Sequence, residues 1–219
     1  MARWLPRGPL VGEFIMVVLG VLFALMVDSW LTDRADDKLR DEYLARLIDD
    51  LKTDRLNLDD RIYFFDAVQA FGVETLKRLE SGDAGGIVSV VEAFYAAENY
   101  DFRIVDNTYL DLQNTGNIRL LDQIELRASL AAYHTKVAAQ REQLSPEYRS
   151  MVRGIIPWHV QNAIRNNCPT TDSTNDRPTG FPPCDLPDVS EEEARAAFSQ
   201  IRNSPGLYEV LTYRVSQVG

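Results

Sequence analysis

Few side chains in this 219-residue chain have the type and spacing for catalysis. The two histidines, His134 and His159, follow Tyr133 and Trp158 and stand in no H-E-x-x-H or other metal-ligand spacing. Both read as structural or solvent-facing. The acidic pairs Asp49-Asp50 and Asp59-Asp60 could hold a divalent cation, but solvated helix faces account for them better. There is no G-x-S-x-G, no P-loop and no dinucleotide fingerprint. Ser, His and Asp occur without the spacing of a triad. Gly82 to Gly86 is glycine-rich and reads as a turn between helices. The expectation is therefore no catalytic residue, no metal and no cofactor.

Two further chemistries are open. Cys168 and Cys184 bound a polar loop (Asn166 to Asp188) rich in Pro, Thr, Asn and Asp. An even pair in that setting suits a disulfide in an oxidising compartment; the alternative is two unpaired thiols. Glu13 is the other, because an ionisable group at the edge of an apolar segment is a functional candidate. The plainer reading is a headgroup-level carboxylate favoured by the positive end of a helix.

The element that positions Glu13 is the segment Leu10 to Leu31. Its uncharged part, Phe14 to Val27, is only about 14 residues, the length of a buried helix or a signal-peptide core. Counted to Leu31 it is about 22 residues, roughly 33 Å, enough to span the hydrocarbon. Glu13 and Asp28 then fall near the two headgroup levels. Trp4 and Trp30 lie at the flanks, as interfacial anchors do. Pro6 and Pro9 precede the helix or sit in its first turn, where proline costs no hydrogen bond. A cleaved signal peptide would want small residues spaced A-x-A after the core, and Ala24-Leu25-Met26 does not fit. A retained anchor is the reading adopted. Gly20-x-x-x-Ala24, with Gly12, offers a small-residue face for close helix packing in lipid. Orientation follows from context: residues 1–9 form a short cytoplasmic tail with Arg3 and Arg7, residues 10–31 span, and residues 32–219 lie outside.

The roughly 190 residues beyond the anchor are enough for one core. They carry the whole net charge of −10, since Arg3 and Arg7 balance Glu13 and Asp28. Such a surface opposes nucleic acid and anionic lipid. Asp36 to Leu79 reads as one long helix, with Leu44, Leu47, Ile48, Leu51, Leu58, Ile62, Phe65 and Val68 at helical spacing. Asp36 with Arg40 and Glu42 with Arg46 are i,i+4 pairs. The absence of proline from Leu10 to Phe71 lets the anchor continue into this helix as one rod. Ser81 to Gly86 is a break, and Ile87 to Ala97 a short apolar helix. Phe94, Tyr95, Tyr100, Phe102 and Tyr109 read as core aromatics. Asn107 or Thr108 can cap a helix that Gly116 ends in the left-handed conformation. Ile118 to Leu144 continues as helix, and Pro146 opens another toward Arg165. Ser190-Glu191-Glu192-Glu193 is a capping box for a helix to about Asn203. Leu207 to Val218 is the last. The fold expected is all-α: one transmembrane helix running into an extracytoplasmic helical bundle with a disulfide-closed loop.

Two blocks carry a resemblance. Glu13, Gly20-Val21-Leu22, Ala24-Leu25 and Trp30, followed by a charged helix, look like the opening of an uncharacterised bacterial membrane family. Thr108-Tyr109, Leu112, Thr115-Gly116-Asn117, Arg119-Leu120 and Tyr133 resemble that family's second block, TY-x-x-L-x-x-(S/T)-G-N-x-R-L. The family is a domain of unknown function. The resemblance implies a single-pass protein with an extracytoplasmic helical domain and assigns it no activity; the location expected is the bacterial inner membrane, with the C-terminal domain periplasmic.

Two function classes follow. The first is a non-enzymatic accessory or scaffold subunit. Its anchor, through Glu13, Gly20, Ala24 and Trp30, packs against other integral membrane subunits of a larger complex, for which an energy-transducing assembly (respiratory or photosynthetic) is one host. The lipid bilayer is then a partner, nucleic acid is not, and a homo-oligomer is left open. The second is an extracytoplasmic sensor or ligand-binding module signalling through its helix, weakened by the roughly nine residues on the inner side. Thr108, Tyr109, Gly116, Asn117 and Arg119 form a turn that packs in the core or offers an interaction site.

Overall fold

The computed structural model describes residues 8–100, 104–142, 147–170 and 180–218. Trp4, Pro6, Arg3, Arg7, Phe102, Pro146 and the middle of the cysteine loop, 171–179, lie outside them.

Helix α1 runs unbroken from Gly8 to Ser81, 74 residues. No proline removes an i→i−4 bond anywhere along it, so the apolar span and the charged segment form one helix as expected. Ser81 and Gly82 end it: Gly82 takes φ +70°, a conformation open to glycine without a Cβ penalty. There follow α2 (Ile87–Ala96), α3 (Asn107–Asn114), a 3-10 turn (Asn117–Leu120), α4 (Ile124–Glu142), α5 (Glu147–Ile155), α6 (Trp158–Asn167), α7 (Glu191–Arg202) and α8 (Leu207–Val218). Helices are the only regular structure among the described residues. Cys168 and Cys184 form a disulfide with Cα atoms 5.5 Å apart, so the loop is closed as the spacing predicts.

Three boundaries differ from the sequence expectation. Ile118 does not begin a long helix. After Gly116 (φ +74°) the chain makes only the 3-10 turn, Leu121 is extended, and α4 starts at Ile124. The helix expected from Pro146 to Arg165 is two, α5 and α6, because Pro157 has no N–H to give and disfavours helical backbone at Ile156. Neither Asn107 nor Thr108 caps α3: Asp106 holds that position, without a side-chain bond, and Thr108 is buried. The capping box on α7 is present, with the Ser190 hydroxyl accepting from the Glu193 N–H and the Glu193 carboxylate accepting from the Ser190 N–H.

The described residues fall into two compact units. Unit 1 takes residues up to Leu51 and Asp106–Ala131; its core is Tyr43, Leu47, Tyr109, Leu112, Leu120, Leu121 and Leu130. Unit 2 takes Lys52–Val105 and the residues from Ala132 on. Its main core joins α2, α5, α6, α7 and α8 through side chains such as Phe94, Val152, Ile164, Phe198 and Leu211. Helix α2 is apolar on nearly every side because it is buried on nearly every side. Phe64, Phe65 and Val68 form a smaller cluster with Tyr100 and Phe181. Of the apolar stripe expected on α1, Leu47, Phe65 and Val68 are buried, whereas Ile48, Leu51 and Ile62 face outward.

Candidate functional site

The apolar window of α1 is a candidate membrane span. Helix α1 is long and apolar enough to cross a membrane, and none of the side chains in its apolar window is buried by the rest of the chain. Phe14, Met16, Phe23 and Met26 are each about two-thirds exposed or more. Gly12 and Gly20 have no atom of another element within 4 Å of where a Cβ would stand. Glu13 and Ala24 are likewise exposed. Trp30 ends the segment with the Arg34 guanidinium 4.9 Å from its ring centroid, an i,i+4 cation–π pair. The small-residue face is therefore present, and none of the described residues occupies it.

The turn of the second block has a partner inside unit 1, namely α1 itself. Asp36, Arg40, Tyr43 and Leu47 recur at three- and four-residue steps, so they share a face. Asp36 lies 3.4 Å from Arg119, and Arg40 lies 3.3 Å from Asp122. The Tyr43 hydroxyl donates to Asp111 (3.1 Å) and accepts from the Asn117 amide (3.2 Å). Arg46 stands 3.5 Å from Asp111. The charges on α1 thus reach across to the block; along the helix Arg40 pairs with Asp37 (2.9 Å) rather than with the expected Asp36. Tyr109 and Leu112 supply the apolar contact beneath. Gly116 provides the left-handed residue that lets Asn117 turn back. Tyr109, Gly116, Asn117 and Arg119 are accounted for by packing on one face of α1 between Asp36 and Leu47, and Thr108 is buried.

Two polar centres were not singled out from the sequence. Asp54 is 1% exposed. Its carboxylate accepts from the Val105 N–H (2.7 Å) and from the Tyr133 hydroxyl (2.7 Å). Burial, then the Asp54 hydrogen bond, pushes the Tyr133 phenol well above its usual range. The signal was available: Asp54 falls on the same helical face as Leu47, Leu58 and Phe65, where an apolar residue is the rule. The second centre closes the C-terminus of α2. Arg149 donates to the Ala97 carbonyl (2.7 Å) and Arg214 to the Glu98 carbonyl (2.8 Å). Glu98 pairs with Arg153 (2.6 Å) and Arg149 (3.1 Å). Cations are favoured at this end of a helix. Arg153 also stacks on Phe94, and burial pulls it down to about 10 against the pull of Glu98. These arginines come from α5 and α8, far from Glu98 in sequence, so no local spacing announces them.

The disulfide lies beside Tyr95, whose hydroxyl donates to the Pro182 carbonyl (3.2 Å) and stands 3.5 Å from Cys184 Sγ. Among the described residues no three His, Cys, Asp or Glu side chains converge as metal ligands. His159 is 3.4 Å from Glu193. His134 packs edge-on to Tyr133.

No family model matches this chain, and neither does any curated protein or solved structure. The likeness of the two sequence blocks to a membrane family rests on their residues alone.

Proposed function

We propose that the protein is a non-enzymatic, membrane-anchored accessory or scaffold subunit. Its α1 span packs against helices of a larger membrane complex, and its helical domain stands on the extracytoplasmic side of a bacterial inner membrane. The observation that carries this reading is the uncovered apolar segment of α1, which combines Gly20-x-x-x-Ala24, a carboxylate at Glu13 and an apolar surface that no other element meets among the described residues. Small residues let helix backbones approach closely in lipid, and a membrane-level carboxylate finds its partner on another helix. The disulfide supports an oxidising compartment for the domain.

The test is purification from native membranes in mild detergent, with the parent compared to Gly20→Leu and Glu13→Leu. The parent should co-migrate with a large complex at fixed stoichiometry, and both variants should dissociate from it while the domain keeps its thermal unfolding. Migration of the parent alone, or full retention of both variants, overturns the reading. Migration alone would favour a sensor that signals through its helix, for which the unbroken run of α1 from Gly8 to Ser81 is the supporting feature.

A further inference from the structure

The inner side of α6 is committed to the core of unit 2 through Val160, Gln161 and Ile164. Its outer side is not. Trp158, Asn162 and Asn166 follow one another at four-residue steps, and His159, Ala163 and Asn167 form the adjoining row. With Asp188 from the turn before α7, these residues line an open groove of about 280 Å³. That is close to the lower end of ligand-site volumes, about 300 Å³. Trp158 is 69% exposed although it is the largest apolar side chain on the helix. It is also held in place, since Pro157 fixes the first turn and the Arg165 guanidinium stands 5.3 Å from the ring centroid. Asn167 donates to its own helix at Ala163 (2.8 Å), whereas the Asn162 and Asn166 amides have no partner among the described residues.

The chemistry of this lining is specific. An indole face takes flat C–H surface. A primary amide gives two donors and one acceptor, and a carboxylate such as Asp188 accepts only. The ligand that matches has an apolar ring face and a rim of hydroxyls and amides, which describes a sugar. Asp188 and the nearby Glu193, in a chain of net charge −10, oppose a uronate or phosphorylated sugar. Two free amides along the helix pair reciprocally with acetamido groups, and the Ala163 methyl leaves room for an acetyl methyl. We propose that this face of α6 is a binding site for a neutral oligosaccharide of N-acetylhexosamine. The site is independent of how the anchor is used.

The test uses the full chain in lipid nanodiscs, because maltoside detergents would bring a competing sugar. Triacetylchitotriose is titrated and followed by saturation-transfer NMR. Saturable binding in the millimolar range is expected. Trp158→Ala and Asn162→Ala should each weaken it about tenfold or more while leaving thermal unfolding unchanged, since both side chains are exposed. Maltotriose, of equal length but without acetamido groups, should bind correspondingly more weakly. Absence of saturable binding, unchanged affinity in both variants, or equal affinity for maltotriose overturns the assignment.

Discussion

A carboxylate that is 1% exposed must find its hydrogen bonds inside the protein, and Asp54 finds one on a backbone N–H and one on a phenol. Replacing it by Ala leaves the half-buried Val105 N–H and Tyr133 hydroxyl without an acceptor inside the protein. Asp54→Ala should therefore lower stability by about 2–3 kcal/mol, read as a lower midpoint in chemical denaturation. An effect below about 0.5 kcal/mol, the range of an ordinary surface change, would show that solvent replaces both bonds. Tyr95 makes a second prediction at this scale. Burial, helped by the charge of Glu98, pushes its phenol up to about 12 from an ordinary 10. The raised value means that the folded state favours the neutral form. Its contribution is complete below about pH 10 and is lost as pH rises from 10 through 12, where the unfolded chain ionises first. Tyr133 and Tyr148 are shifted the same way, chiefly by burial. The melting temperature should fall steeply above about pH 10, and Tyr95→Phe should fall less steeply than the parent. Parallel profiles would remove Tyr95 from the explanation.

At the scale of elements, two glycines with nearly the same positive φ separate the causes of strain. Gly85 and Gly116 have φ of +75° and +74°. A Cβ on Gly85 would run into the Phe198 ring, whereas a Cβ on Gly116 meets nothing within 4 Å. Gly85→Ala should cost about 3 kcal/mol, from overpacking added to the left-handed penalty, and Gly116→Ala only about 1 kcal/mol. Equal losses by denaturant titration would contradict this account. The same elements show what a sequence reveals. The length of α1, the position of α2, the αL residue at Gly116 and the capping box at Ser190 rest on neighbours in the chain, and each was legible. The break at Pro157 was also written locally, in the missing N–H and the restricted backbone of the preceding residue, although one helix was expected from Pro146 toward Arg165. Neither the pairing of Asp36 with Arg119 nor the cluster of arginines at Glu98 could be read, because those partners meet only after folding. In the candidate site, the exposed small residues of the span were legible and the outward row on α6 was not. Telling the outer side of α6 from its inner side requires knowing where the core lies.

For the molecule as a whole, the disulfide and the two cores set the stability. Closing a loop of about 15 residues is worth roughly 3 kcal/mol, so Cys168→Ser should lower the melting temperature of unit 2 under oxidising conditions. Reductant should then shift the parent and leave the variant unmoved; equal melting of the two would argue that the bridge contributes nothing. The division of the chain between the units has a consequence for the order of its synthesis. Tyr43 and Leu47 are covered by side chains from residues 106–131, which leave the ribosome only after residues 52–105. At about 5–20 residues per second, that is a wait of several seconds. Throughout it, the nascent chain shows both an apolar span and an uncovered stretch of amphipathic helix. On the proposed membrane-anchored reading, the apolar segment of α1 is therefore available to a bilayer before unit 1 can close. A chain that stalls before Asp106 emerges therefore lacks the side chains that cover Tyr43 and Leu47, and leaves that face of α1 open to chaperones and proteases.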